Sequence, residues 1–151
     1  RVPPRWGPPE WDDNPPPPAT ANACACAVWM VDSLYAALGK PTAVAGMRLL
    51  VAESARVQDL VNLWEDAVVL PQLAFMGELL ASRMVRSPRP ASVLVRQPWL
   101  VIAPVVHTLL SQMIFGPVSP GQMEIRRQGH VELLTELLEP HWNSEPMPGT
   151  P

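Results

Sequence analysis

The chain has 151 residues, 48% of them hydrophobic and only 17% charged, with a net charge of −3. That length supports one domain with a core of its own. The scarcity of charge implies a surface partly covered by association, and the slight acidic excess excludes a basic footprint for nucleic acid.

Residues 1–22 hold eight of the 20 prolines. Proline fixes φ and lacks an N–H, so this segment is expected to be an extended or disordered tail. Its run Pro15 to Pro18 suits a polyproline-reading groove, and Trp6 and Trp11 are candidates to tack it onto an apolar surface. The first apolar run begins near Ala23, after a Pro-rich acidic stretch instead of the basic start of a signal peptide. The chain opens on Arg1, so it is read as processed or as a piece of a longer product. Cys24 and Cys26 are too close for an unstrained disulfide and too few for zinc; free thiols in a reducing cytoplasm are expected, with no metal and no cofactor.

From Ala23 the alphabet becomes helical. Ala23 to Leu38 repeats apolar residues at three- and four-residue spacing and stops at Gly39, with Pro41 just beyond. Thr42 is the expected cap of a helix over 43–55, with Met47, Leu50 and Val51 on one stripe. After a break at 56–59, residues 60–86 read as one long helix or a kinked pair bent at Pro71. Residues 87–92, SPRPAS, read as a linker.

Gln97 to Phe115 carries no formal charge and stands at the centre of the pattern. Pro98 suits its first turn, Pro104 should kink it unless a hydroxyl or water takes up the freed carbonyl, and Gly116-Pro117 ends it. A membrane span needs about 20 apolar residues, and Pro104, His107, Thr108, Ser111 and Gln112 interrupt this one. It is read as a buried helix that wants a protein partner. Ser119-Pro120-Gly121-Gln122 is a capping box opening a last helix over 119–139, which Pro140 ends; residues 140–151 are expected to be loose. No strand pattern appears. The fold class is all-α, a bundle of about five or six helices.

No phosphate-loop, dinucleotide, zinc-protease or nucleophile-elbow motif is present. His107 and Ser111 lie one turn apart and offer a base beside a hydroxyl, the simplest enzymatic reading, with no third group or oxyanion hole to complete it. Adjacent Arg126 and Arg127 read as a solvated face. Trp29, Met30, Met47, Trp64, Phe75, Met76 and Met84 recur over successive helices, with His107 and Ser111 as sparse polar points. Such a set describes an apolar ligand pocket, and equally a plain core with methionine as filler.

Three stretches together resemble the C-terminal regulatory domain of TetR/AcrR-type transcriptional regulators: MRLLVAESARVQDLVNLWEDAVVLPQLAFMGELLASRM, PWLVIAPVVHTLLSQMIFG and VELLTELL. The matching positions are Arg48 to Arg56, Leu60 to Trp64, Pro71, Ala103-Pro104, Phe115-Gly116 and Leu133 to Leu138, and the resemblance spans about residues 28–139. It implies a regulatory domain over 23–139 that binds a small hydrophobic effector and forms a homodimer. The last two helices would pair with their copies as a four-helix interface. Expected dimer residues are Trp99, Ile102, Val106, Leu110, Met113, Val131, Leu134 and Leu138; expected effector contacts are Trp29, Met47, Trp64, Phe75, Met76, His107 and Ser111. The family's helix-turn-helix head is absent from these residues, so DNA contact would need a head outside them. Two further readings compete: a headless module that heterodimerises with full-length regulators, and a small helical enzyme using His107 and Ser111.

Overall fold

Helices form wherever the apolar spacing predicts them, and their ends are set by side chains and prolines. The computed structural model describes residues 14–85 and 90–143. Helix α1 spans Ala23–Leu38 and opens on Asn22, whose side chain accepts from the Ala25 N–H. Helix α2 runs over Pro41–Glu53. Its cap is Lys40 and not Thr42, because Pro41 already supplies the φ that a first helical residue needs.

The stretch after the turn at 54–57 is a single interrupted rod. Helix α3, Gln58–Trp64, passes into a π-helical turn, Glu65–Val69, and then into α4, Leu70–Arg83. Pro71 explains the interruption. Its ring would clash with the preceding turn, and the turn widens so that the Leu70 N–H reaches back to the Glu65 carbonyl. The short helix α5, Val93–Arg96, begins just past the expected linker 87–92, of which 87–89 lie outside the described residues; Ser92 caps it and donates to the Leu137 carbonyl at 3.0 Å. Helix α6 spans Trp99–Phe115, and Gly116, at φ 94, ends it in the left-handed region that other residues adopt only with strain. Helix α7, Pro120–Leu138, begins at Ser119, whose hydroxyl accepts from the Gln122 N–H at 3.3 Å. No described helix is long and apolar enough to cross a membrane.

The core is the contact of α1 with α7, closed by α6, α5 and the end of α4. Val31, Leu80, Leu94, Val101, Leu134 and Leu138 are all fully buried there. Gly77 allows α4 to approach the start of α6: a Cβ at this position would sit 3.0 Å from the Pro98 ring.

Two terminal stretches depart from the expectation of looseness. Trp142 is buried, and residues on either side of it pair with the end of α4: Val85 N–H to the His141 carbonyl, and Asn143 N–H to the Arg83 carbonyl. Residues 14–22 lie against the bundle without helix or strand, and Ala21 N–H closes a turn onto the Pro18 carbonyl at 2.9 Å. Prolines can accept hydrogen bonds but not donate them, so the bundle supplies the donors. Trp29 Nε1 donates to the Asn14 carbonyl at 3.0 Å, Arg83 to the Pro17 carbonyl at 2.7 Å and also to Pro18, and Trp142 Nε1 to the Ala21 carbonyl at 2.9 Å. Trp6, Trp11 and the stretch 144–151 lie outside the described residues.

Candidate functional site

Helices α2 and α3 bury none of their residues, although both carry apolar stripes. They stand off from the core and enclose a cavity of about 560 Å³ between α1, α2, the π-helical turn, α4 and α6. Leu34 and Leu38 line it from α1, Met47, Leu50 and Val51 from α2, and Leu73 and Met76 from α4. Trp64 and Val69 flank the π-helical turn, and Ile102, Val106 and Leu110 form the α6 wall. Polar atoms are few: Ser33, whose hydroxyl already accepts from Asn14 Nδ2 at 3.2 Å, and Gln72. The volume suits a small molecule, and apolar walls with one or two polar anchors select for a hydrophobic one.

Three of the seven expected effector contacts meet here: Met47, Trp64 and Met76. The other four lie elsewhere. Trp29 is buried in the α1 core and directs its Nε1 at Asn14. Phe75 lines a separate hollow on α4 with Pro71, Ala74 and Glu78. His107 is exposed, and Ser111 is half-buried outside the cavity lining. Among the described residues no hydrogen bond joins His107 to Ser111.

The expected dimer face is redistributed. Ile102, Val106 and Leu110 face the cavity, so α6 serves as its wall. Val131, Leu134 and Leu138 are buried in the chain's own core, against α1. A regular apolar stripe records that a face is covered; in α7 the cover is this chain's first helix. Trp99 remains half-exposed, its Nε1 donating to Gln97 Oε1 at 3.0 Å, and Met113 is half-buried. The most exposed large apolar residues near the α6–α7 turn are instead Ile114 at 71%, Phe115 at 86% and Ile125 at 73%.

A second, more polar hollow of about 340 Å³ lies between α1, α6 and α7, on another face of α6. It collects Tyr35, Pro104, His107, Thr108, Arg126 and His130. Pro104 shapes this place by interrupting the hydrogen bonding of α6. Thr108 Oγ1 donates to the Pro104 carbonyl at 3.0 Å, and His130 Nε2 reaches the Val101 carbonyl at 2.9 Å. Burial pushes the His130 imidazole below its ordinary pKa, and the bond to the Val101 carbonyl partly opposes that shift. Arg127 points elsewhere: it pairs with Asp32 at 2.6 Å and Glu124 at 3.0 Å, and the Glu124 carboxyl is held below its usual range by that guanidinium. These exposed pairs add little stability.

Comparison of the chain with protein-family models, with curated proteins and with solved structures returned no match.

Leu50 and Val51 share the α2 stripe with Met47, so sequence spacing already carried a signal for them. Val69 and Leu73 gave none, because their orientation depends on the π-helical turn. Tyr35, Arg126 and His130 gave none either: their meeting depends on how α1 and α7 cross α6.

Proposed function

We propose that this chain is the effector-binding and dimerisation domain of a TetR-like transcriptional regulator, and that its effector is a small hydrophobic molecule. The observation that carries the reading is the apolar cavity behind α2 and α3. An all-helical chain whose second and third helices bury nothing, yet enclose about 560 Å³, has a wall that can move with its contents. Occupancy would draw α2 and α3 onto α6, and such a shift is what coupling to a distant head requires. Dimerisation would use the exposed apolar end of the α6–α7 hairpin, Ile114, Phe115 and Ile125, in place of the core residues Val131, Leu134 and Leu138. DNA would be reached only through a helix-turn-helix head, which these residues do not include.

The test is thermal stability with a panel of hydrophobic amphiphiles held below their micellar concentrations. A ligand that binds only the folded state raises Tm, by about 2.7 kcal/mol of stability at 100 times its Kd. The same ligand should lose its effect in Val106→Trp, which fills the cavity from its α6 wall. Absence of stabilisation by every compound, or an undiminished effect in Val106→Trp, would sink the effector assignment. Sedimentation of Phe115→Glu tests the interface: a dimer unchanged by that substitution does not use this face.

A further inference from the structure

The walls of the cavity behind α2 and α3 are unlike those of the hollow on the other face of α6. Arg126, His107 and His130 stand around the hollow, whereas no described residue lining the cavity carries a charge. Its polar groups are the Ser33 hydroxyl on α1 and the Gln72 amide on α4. Ser33 is only 8% exposed, and its oxygen accepts from Asn14 Nδ2 at 3.2 Å. A hydroxyl also has a proton to give. Ser82, Thr108 and Thr135 turn theirs back onto carbonyls of their own helices. Ser33 does not, and among the described residues its proton has no acceptor.

These features select among hydrophobic molecules. An ion moved from water onto apolar walls loses its hydration, and without an opposite charge to meet it the transfer is costly. Among the described lining residues a carboxylate finds no Lys or Arg, and an ammonium finds no Asp or Glu. A pure hydrocarbon satisfies the walls and leaves the Ser33 proton unmet, at the cost of one buried donor. An oxygen with a lone pair and no charge answers both conditions. Gln72, half-buried in the same lining, adds an amide donor for a neutral oxygen and no charge to balance an ion.

We propose that the cavity selects an uncharged ligand, a hydrocarbon skeleton carrying one ketone or ester carbonyl that takes the proton of Ser33. This rests on the reading of the cavity as an effector site and adds to it the chemical class of the effector. The Ser33 hydroxyl then stands in the middle of a short chain of hydrogen bonds: Asn14 Nδ2 donates to Ser33 Oγ, and Ser33 donates to the ligand. The volume of about 560 Å³ leaves room for a skeleton of ordinary ligand size, held otherwise by apolar contact alone.

The experiment is calorimetric titration of the full chain at neutral pH with probes of matched carbon number, held below their micellar concentrations: methyl octyl ketone, decanoate, decylammonium and butylbenzene. The ketone should bind, with decanoate and decylammonium each at least about tenfold weaker. Ser33→Ala, a substitution that a helix interior accepts, should weaken the ketone about fivefold and leave butylbenzene, which has no oxygen, where it was. Binding of either ion as tightly as the ketone, or of butylbenzene without the ketone, overturns the proposal and leaves the cavity an effector site. An equal loss for ketone and butylbenzene in Ser33→Ala marks a packing role for the hydroxyl and overturns it too, as does no loss for either. Silence from every probe overturns the effector reading together with this one.

Discussion

The α1–α7 half of the molecule and the α2–α3 half are written in the same apolar helical alphabet and finish in opposite states. In the first, Val31, Val101, Leu134 and Leu138 lose all contact with water. In the second no residue is buried, and Leu49, Leu60 and Leu63 stay well exposed. The difference lies in what stands behind each stripe. The α7 stripe meets α1 along its length; the α2 and α3 stripes face a cavity and solvent. One half holds the buried core, and the other buries none of its residues. Local opening should follow that division, with amides of α2 and α3 exchanging well before those of α1 and α7.

Substitutions can break or sharpen this contrast. Leu134→Ala in the closed half should cost about 3 kcal/mol, read from chemical denaturation, because the cavity it leaves is sealed on all sides. A cost near zero would mean that α7 is not held against α1. Gly77→Ala probes the joint between the halves, where α4 carries Met76 and Leu80 into the core and Leu73 into the cavity. The added methyl meets the Pro98 ring, and the expected loss is about 1 kcal/mol; a gain in stability would show that α4 and α6 have room between them.

The next effect is a pH dependence in the closed half. His130 is buried neutral with its pKa lowered, whereas the unfolded chain takes up a proton at about the ordinary 6.5. Its contribution is therefore complete above that value and is lost as pH falls from there toward the lower folded pKa. Melting temperatures measured from about pH 7.5 down to about pH 5 should decline more steeply for the parent chain than for His130→Gln; parallel curves would remove His130 from the account. The smallest effect belongs to the open half: Leu63→Ala, at a residue 63% exposed, should change stability by no more than about 0.5 kcal/mol. A large loss there would mean that α3 packs on something, a second copy for instance, and would end the contrast.

Much of the helical layout was legible from local signals. Ser119 and Gln122 mark the start of α7, Gly116 and Pro117 the end of α6, and Gly39 the end of α1, because caps and prolines act within a turn or two. The assignment of faces was not legible. The α6 sequence is apolar nearly all round, so the spacing of Ile102, Val106 and Leu110 fits a partner or a cavity equally well. Periodicity in Val131, Leu134 and Leu138 reports burial and is silent on what does the burying. The π-helical turn came from a proline whose consequence is one extra residue per turn, which rotates everything after it. Residues 14–22 and Trp142 were read as loose because their contacts are made by carbonyls and by single indole donors, and neither leaves a repeating pattern.

The clasp between those two stretches has a consequence in time. The bond from Trp142 Nε1 to the Ala21 carbonyl joins positions 121 residues apart in sequence, and Arg83 holds Pro17 across 66. Closing so long a loop before the helices have docked costs more entropy than one hydrogen bond returns, so these contacts form after the folding barrier is crossed. Interactions absent from the transition state slow unfolding and leave the folding rate almost untouched. The proline strap is then a latch on the finished bundle, felt in how long the folded chain persists and hardly at all in how quickly it arrives.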